Sequence, residues 1–278
     1  METFAVDVPS GKIQVRRFGD PADPAVFCLH GLSSNACAFD PLGERLASAR
    51  RQVVALDLRG RGLSEKTRCG TYGWKRHASD LFDVAGALGI ERFDVVGHSM
   101  GALVGMNAVA LDRRKRIGRL VAIDALARPT PAAALALTRG AQRLRWKYRN
   151  ADDYVHAVRG LNLATPWNDY WERHYRYEVE AIPGEGVRAR TKIGALYEDT
   201  AYAAVHSPRA FWQTLALPVL VLRAARGLGS RDAHVVASAD LAAFLRAAPA
   251  AGAKEIDANH FGVVMHDDSL SAIGEFLC

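Results

Sequence analysis

The feature that most constrains this chain is a serine between two glycines, in the segment Gly97-His98-Ser99-Met100-Gly101. A β-rich run, Phe93 to Val96, precedes this segment, and an apolar, helix-favouring stretch, Ala102 to Leu111, follows it. A serine at the tip of such a strand–turn–helix unit adopts a strained backbone conformation, so the residues two positions away must be small. The pattern therefore predicts a sharp turn that presents Ser99 as a nucleophile. Alone it is weak, because a chain this long shows it by chance roughly one time in ten.

The composition is typical of a soluble globular protein. Of the 278 residues, 49% are hydrophobic and 24% are charged, which suffices for one large core or two small ones. No apolar run reaches the roughly 20 residues of a membrane span, and the first twelve residues contain Glu2 and Asp7 instead of the apolar block of a signal peptide. No CxxC spacing occurs among the four cysteines, which are Cys28, Cys37, Cys69 and Cys278. Scattered cysteines are typical of reduced thiols, so we expect a cytoplasmic protein without a membrane partner.

The net charge of +6 raises the question of an anionic partner. Basic residues form two clusters, namely Arg113, Arg114, Lys115, Arg116 and Arg119, and Arg139, Arg143, Arg145, Lys147 and Arg149. Such clusters bind nucleic acid or an anionic substrate, or they are solvated helix faces. The sequence has no nucleic-acid fold motif, no metal-ligand spacing and no Gly-rich nucleotide loop. We therefore favour solvated faces and predict no nucleic-acid partner, no metal and no cofactor.

Strands and helices alternate at steps of roughly 30 residues, which indicates an α/β fold with a mostly parallel sheet flanked by helices. The predicted strands are Thr3–Val8, Ile13–Phe18, Ala25–Leu29, Gln52–Leu56, Phe93–Val96, Gly118–Ile123, Leu217–Arg223 and Lys254–Ile256. The predicted helices are Phe39–Ser48, Lys75–Leu88, Ala102–Leu111, Asp232–Ala247 and Asp268–Leu277. Because Pro9-Ser10-Gly11 is a turn signal, the first two strands are expected to form an antiparallel hairpin.

A second kind of segment interrupts this alternation. Residues 129–212 show little β-pattern and contain most of the aromatic residues, so we predict a helical insertion over the sheet, between core segments 1–128 and 213–278. Ligand sites are apolar clefts between layers, and the insertion's aromatic rings are candidates to line one. The alternative is that these rings fill a small core of the insertion itself. The candidates for substrate contact are Trp146, Trp167 and Trp171.

Four features occur in an order and at a spacing that resemble the α/β-hydrolase family with a helical cap. They are His30-Gly31 after a buried strand, the run Asp57 to Ser64 (DLRGRGLS), the segment around Ser99, and Asn259-His260-Phe261 near the end. The resemblance covers almost the whole chain. It implies an eight-stranded, mostly parallel sheet with an inserted helical cap, and a serine hydrolase that works with a base and an acid.

The base is expected to be His260, because a serine hydroxyl needs an adjacent base to become nucleophilic. This histidine follows a predicted strand and precedes the last helix, on the same sheet edge as Ser99. His266 is more suited to the start of that helix. His30 and His98, which flank the site in sequence, are expected to hold loops and to line the pocket floor together with Gly31.

The acid has two candidates. In the family the usual place is a few residues after the seventh strand, where this chain has Gly227. Some members place the acid directly after the strand that follows the nucleophile's helix, and Asp124 lies there. The order Ser99, Asp124, His260 fits the nucleophile–acid–base sequence. The rival is Asp232, which could instead cap the helix predicted to start there. We favour Asp124 and leave the choice open.

The resemblance also implies an oxyanion hole, formed by the backbone N–H groups of Leu32, after His30-Gly31, and of Met100, after the nucleophile. Ser99 argues against dehalogenases and epoxide hydrolases of this fold, which use an aspartate there. We predict hydrolysis of a small to medium carboxylic ester or lactone through an acyl-enzyme. A carbon–carbon hydrolase of a ring-cleavage pathway and a catalytically silent small-ligand receptor remain alternatives, as do a monomer and a homodimer.

Overall fold

The computed structural model describes all 278 residues, and its eight core strands form one sheet. They are β1 (Glu2–Val8), β2 (Gly11–Phe18), β3 (Ala25–Leu29), β4 (Gln52–Leu56), β5 (Phe93–His98), β6 (Ile117–Ile123), β10 (Val219–Ala224) and β11 (Ala251–Ile256), while β7 to β9 form a second sheet described below. The order is β1-β2-β4-β3-β5-β6-β10-β11, and only β1 with β2 and β2 with β4 pair antiparallel. The predicted mostly parallel eight-stranded sheet is thus confirmed, and β5, which leads to Ser99, lies at its centre.

Helices cover both faces of this sheet. They are α1 (Asp40–Ser48), α2 (Trp74–Ala87), α3 (Met100–Leu111), α8 (Ser238–Ala247) and α9 (Asp267–Leu277). Alternate residues of a strand point to opposite faces, and in β3 Phe27 packs into the core beneath α2, α3 and α8, while Cys28 packs into the core beneath α1 and α9. Burial on both faces explains why β3 is a continuous apolar run. None of the helices combines the length and the hydropathy that crossing a membrane requires.

The segment between β6 and β10, which we call the insertion, contains four α-helices and a small sheet. Its elements are α4 (Pro131–Ala141), β7 (Lys147–Tyr148), α5 (Ala151–Gly160), α6 (Asp169–Tyr177), β8 (Val179–Ile182), β9 (Gly186–Ala189) and α7 (Ile193–Val205). The predicted helical insertion therefore also contains strands that were not predicted, since β7, β9 and β8 form an antiparallel sheet in that order. These strands have two to four residues each, too few to show the alternation that identifies a strand in a sequence.

One predicted helix boundary is also wrong. Helix α8 begins at Ser238 instead of Asp232. The residues before it form a loop in which Val235 packs beside α4, and the carbonyl of His234 accepts a hydrogen bond from the Thr130 hydroxyl at 3.1 Å. Packing against the start of the insertion therefore overrides the helical propensity of this stretch.

Candidate active site

Ser99 lies at the tip of the turn between β5 and α3, with φ 55° and ψ −122°. This positive φ is strained for a residue with a side chain, and the surrounding packing maintains it. A Cβ on Gly97 would lie 2.3 Å from the carbonyl oxygen of Gly101, and a Cβ on Gly101 would lie 1.9 Å from that of Leu29. The two glycines thus let α3 approach the sheet, as the sequence pattern predicts.

The close approach of α3 to the sheet leads to a prediction about stability. We expect Gly101→Ala to lower the free energy of unfolding by about 3 kcal/mol or more, because its methyl group would have to displace the backbone of β3. The matched control is Gly86→Ala in α2, where a Cβ meets nothing within 4 Å and a gain of about 0.5–1 kcal/mol is expected. Urea unfolding of both variants measures the difference. Equal midpoints would contradict the packing described for the turn.

Three predicted residues meet at the carboxyl ends of the parallel strands. The Nε2 atom of His260 lies 3.0 Å from Oγ of Ser99, and its Nδ1 lies 2.8 Å from Oδ2 of Asp124. Because a carboxylate only accepts, Nδ1 carries the proton that is donated to Asp124. In the neutral imidazole Nε2 is then free to accept from the serine hydroxyl. His260 and Asp124 are buried, with 3% and 1% exposure, whereas Ser99 faces a cavity.

The carboxylate of Asp124 is held from its other side as well. Its Oδ1 accepts from the N–H of Ala224 at the end of β10, at 3.0 Å, and its own N–H donates to the carbonyl of Leu222 at 2.7 Å. These contacts fix the direction in which Oδ2 faces His260. The backbone of Asp124 has φ 48°, so this residue, like Ser99, lies at a strained turn directly after a strand.

The rival candidate lies elsewhere. The structure places Asp232 in the exposed loop before α8, and α8 has Ala237 as its N-cap, so Asp232 neither contacts His260 nor caps that helix. In this chain, the turn after β10, where α/β-hydrolases usually carry the acid, leaves no room for a side chain. A Cβ on Gly227 would lie 2.1 Å from the carbonyl oxygen of Ser230. This turn geometry explains why the position holds a glycine.

The two predicted oxyanion donors both border the cavity. The N–H groups of Leu32 and Met100 donate to no protein acceptor. Met100 is the first residue of α3, so its N–H has no partner within the helix and lies at the positive end of the helix dipole. Gly31 lies close against the nucleophile, since a Cβ there would be 3.2 Å from Cβ of Ser99. The arrangement can stabilise a negative oxygen beside Ser99.

Two buried arginines hold the loop that carries Leu32. Arg61 donates through Nε to the carbonyl of Leu32 at 3.1 Å, and Arg143 donates through Nη2 to the carbonyl of Ser33 at 2.8 Å. Each pairs with a carboxylate of the insertion: Arg61 with Asp199 at 2.7 Å and Arg143 with Glu178 at 2.8 Å. The loop is therefore tied to the insertion in two ways: by the hydrogen bond from Arg143, which itself belongs to the insertion, and by the Arg61–Asp199 ion pair.

Sequence reasoning missed these arginines. Arg61 belongs to the DLRGRGLS run, which indicated the family without indicating a role for the side chain. Arg143 belongs to a basic cluster that the sequence predicts to be a solvated helix face, and for this residue the prediction is wrong, because the side chain is only 2% exposed. Its neighbours Arg139 and Arg149 carry the same charge in the sequence, so no local pattern separates the buried arginine from the exposed ones.

The Arg61–Asp199 pair carries a second stability prediction. Asp199 also accepts from the N–H of Gly73 at 2.7 Å, and no other carboxylate lies within 4 Å of Arg61. We expect Asp199→Asn to lower the free energy of unfolding at pH 7 by about 3–5 kcal/mol, because it leaves a buried charge without a partner. Glu198→Gln, in the same helix, is the control and should stay within about 0.5 kcal/mol of wild type. Urea unfolding at pH 7 tests this, and equal midpoints for the two variants would contradict it.

The same pair has an expected pH dependence. Burial raises the pKa of Asp199, but the charges on His77 and Arg61 and their hydrogen bonds lower it by more, so that it lies below its usual range. A carboxyl group with a depressed folded-state pKa stabilises the fold above its unfolded pKa, about 3.9, and loses this contribution as the pH falls through the folded value. The free energy of unfolding of wild type should thus exceed that of Asp199→Asn by the full amount at pH 7, and the excess should shrink below about pH 4.

The cavity in front of Ser99 has a volume of about 540 Å³ and mostly apolar walls. Of the predicted substrate contacts, Gly31, His98 and Trp171 line it. His98 donates through Nε2 to the carbonyl of His260 at 2.8 Å, which holds the backbone of the proposed base. Burial, followed by the charge of His260, keeps the pKa of His98 well below its usual range, so His98 is neutral.

Three other predicted contacts do not line the cavity. His30 is fully buried beneath it: Nδ1 donates to the carbonyl of Gly31 at 2.7 Å, and Nε2 accepts from the N–H of Leu58 at 3.0 Å. Burial lowers the pKa of His30 to about 3. Trp146 is 54% exposed on the insertion's surface, and Trp167 stacks on Tyr175 at 5.6 Å. Trp167 therefore packs within the insertion and does not contact the substrate cavity.

The site can be compared with known proteins. A family model described as the alpha/beta hydrolase fold matches residues 24–264. The chain is 38% identical over 99 residues to a human serine hydrolase-like protein (35% of this chain, 48% of the relative). It is 35% identical over 109 residues to the 3-hydroxybutyrate-oligomer hydrolase of Cupriavidus necator (38% and 37%). The chain thus spans less than half the length of these curated relatives.

Similarity to solved structures extends over nearly the whole chain. The crystal structure of E-2-(acetamidomethylene)succinate hydrolase superposes with a TM-score of 0.86. The superposition covers 99% of this chain and 98% of that one, at 24% sequence identity. At this identity the likeness concerns the fold alone.

Proposed function

Since the chain belongs to the family of the alpha/beta hydrolase fold, we propose that it is a serine hydrolase that cleaves a small to medium carboxylic ester or lactone through an acyl-enzyme. One observation carries the proposal. Ser99, His260 and Asp124 form a continuous line of hydrogen bonds, with distances of 3.0 and 2.8 Å, that ends at a cavity. This is the arrangement by which a base and an acid activate a serine.

In the acylation step, Oγ of Ser99 attacks the substrate's carbonyl carbon while Nε2 of His260 takes the hydroxyl proton. The imidazole becomes an imidazolium, whose charge the buried carboxylate of Asp124 stabilises. When the tetrahedral intermediate collapses, the bond to the leaving oxygen breaks, and His260 returns the proton to that oxygen. Water then attacks the acyl-enzyme, again with His260 as the base, and releases the acid and free Ser99.

The oxyanion of each intermediate would be bound by the N–H groups of Leu32 and Met100. Such donors contribute about 3–4 kcal/mol each where they have been measured, because they are already oriented before charge develops. Arg61 and Arg143 support this function indirectly, since they hold the carbonyls of Leu32 and Ser33. We therefore assign both arginines a positioning role.

The choice of an ester or lactone is supported by the cavity. Its volume of about 540 Å³ and its apolar walls, which include Leu103, Leu137 and Trp171, suit an uncharged acyl group of moderate size. The name of the relative from Cupriavidus necator, a hydrolase of 3-hydroxybutyrate oligomers, is in keeping with this class. The nucleophile alone would serve equally for a diketone's carbon–carbon bond.

A panel of chromogenic esters, lactones and a ring-cleavage diketone tests the proposal, together with labelling by a fluorophosphonate and mass spectrometry of the adduct. We expect turnover of at least one ester or lactone and a covalent adduct on Ser99. Turnover of the diketone alone would replace the proposal by the carbon–carbon hydrolase. An adduct on another residue, or neither turnover nor adduct, would overturn it, and the last result would favour the silent receptor.

A further inference from the structure

A second cavity, of about 590 Å³, lies beside the first one. Its walls come from the segment 144–147, Glu180 of β8, the end of β9, the segment 190–193 that leads into α7, and Lys66 in the loop after β4. Arg145 and Ile193 border both cavities. A ligand that occupied the second cavity would therefore lie next to the wall of the one that contains Ser99.

The second cavity is strongly basic. Six cationic side chains line it, namely Lys66, Arg145, Lys147, Arg188, Arg190 and Lys192. The lining contains one carboxylate, Glu180, which pairs with Arg188 at 3.0 Å and lies 3.8 Å from Arg190. Lys147 pairs with Glu185. Positive charge thus remains in excess after these pairs are formed.

Three of the cations have no carboxylate within 4 Å, namely Lys66, Arg145 and Lys192. Two of them are held in place by backbone carbonyls. Nζ of Lys66 donates to Gly62 at 2.9 Å, and Nζ of Lys192 donates to Thr67 at 2.7 Å. An ammonium group has three donors, so each keeps two for a ligand.

The number of unpaired cations bears on the charge of the ligand. Partial burial is the main reason why the pKa of Lys66 is lowered, while Glu180 raises this pKa by more than Arg190 lowers it. An anion with several negative charges could pair with Lys66, Arg145 and Lys192 at once, whereas a single carboxylate would pair with one or two of them.

An aromatic ring borders the same cavity. Trp146, at its wall, is 54% exposed. An exposed indole beside a group of cations is the combination with which proteins bind a nucleotide, because the base stacks on the ring while the phosphates meet the charges. The position of Trp146 therefore favours a phosphorylated nucleotide over an inorganic anion.

We propose that the second cavity binds the multiply phosphorylated nucleotide of an acyl thioester of the coenzyme A type, whose acyl group enters the cavity in front of Ser99. This inference rests on the proposed serine-hydrolase function and names a substrate class for it. In the reaction, Oγ of Ser99 bonds to the acyl carbon, the carbon–sulfur bond breaks, and the leaving thiolate takes the proton that His260 removed from Ser99. Water then releases the acid.

Binding is tested first, without turnover, by calorimetry on the full chain carrying Ser99→Ala. The probes are adenosine 3′,5′-bisphosphate, pyrophosphate and adenosine. We expect the bisphosphate to bind, and to bind at least tenfold more weakly after Lys66→Gln and Lys192→Gln are introduced together. Lys254→Gln is the matched control, because Lys254 is an exposed, unpaired lysine of β11 at the far edge of the sheet. If pyrophosphate bound as tightly as the bisphosphate, the site would recognise phosphate charge alone, and the proposal of a nucleotide site would be overturned.

Turnover is tested second, with the same acyl group on coenzyme A and on the uncharged carrier N-acetylcysteamine. The ratio of the two kcat/KM values should favour the coenzyme A thioester, and it should fall at least tenfold in the double lysine variant. A variant that unfolds is recognised from its circular dichroism, and Trp146→Ala then replaces it in the binding assay. Ester turnover without bisphosphate binding would overturn this inference and leave the proposed function intact. Bisphosphate binding without an adduct on Ser99 would overturn the proposed function, and with it the thioester chemistry, and would leave only the nucleotide site.

Discussion

Ser99→Ala is expected to lower kcat for the best ester substrate by about 10⁴-fold or more. Without Oγ there is no acyl-enzyme, and only the oxyanion donors and substrate binding remain to accelerate the attack of water. Removing a nucleophile of this kind typically leaves a residual rate about 10³–10⁴-fold above that in water. Steady-state kinetics on a chromogenic ester, with active-site titration by a fluorophosphonate, measures the loss.

The matched control is Ser230→Ala. Ser230 lies exposed in the turn near Gly227, away from the cavity, so its replacement should leave kcat within about twofold, since surface substitutions change little. Folding of both variants is checked by their unfolding midpoints. A Ser99→Ala protein that keeps a tenth of wild-type activity would mean that Ser99 is not the nucleophile.

Asp124→Asn is expected to lower kcat by about 10⁴-fold, with little change in KM. The amide N–H₂ of the new side chain can donate to Nδ1 of His260, which moves the imidazole proton to Nε2. That tautomer cannot accept the proton of Ser99. The loss therefore comes from a wrong tautomer in an otherwise intact site, and fluorophosphonate labelling should slow in parallel with ester turnover.

Asp232→Asn is the control for this prediction. Asp232 is exposed in the loop before α8, and we expect its replacement to leave kcat unchanged within about twofold. The comparison decides between the two acids that the sequence leaves open. If Asp232→Asn lost several orders of magnitude in kcat while Asp124→Asn did not, the assignment of the acid would be overturned.

Much of the sheet and the central geometry could be predicted because each is encoded locally. Buried strands such as β3, a continuous apolar run, and β4, which is apolar after Gln52, have boundaries identical to those predicted. Ser99, Asp124 and His260 could be placed near one another because each follows a strand, and the carboxyl ends of parallel strands meet at one edge. The geometry that sets His260 3.0 Å from Ser99 and 2.8 Å from Asp124 is found only in the folded chain.

Other features depend on packing between distant segments and have no local signal. Whether an arginine is buried, as Arg143 is, depends on a carboxylate that follows 35 residues later, Glu178. The exposure of Trp146 and the stacking of Trp167 likewise follow from how the insertion folds. The two-residue strand β7 is specified by its partner β9 and not by its own residues.

The contacts between the insertion and the loop that carries Leu32 limit how this protein can be shortened or redesigned. A truncated chain that joined β6 directly to β10 would lose both Asp199 and Arg143. Arg61 would then stand without its carboxylate partner, and the carbonyl of Ser33 would lose its arginine donor. The insertion is therefore part of the minimal enzyme, and changes of substrate range are best confined to cavity-facing side chains such as Leu137 and Leu196.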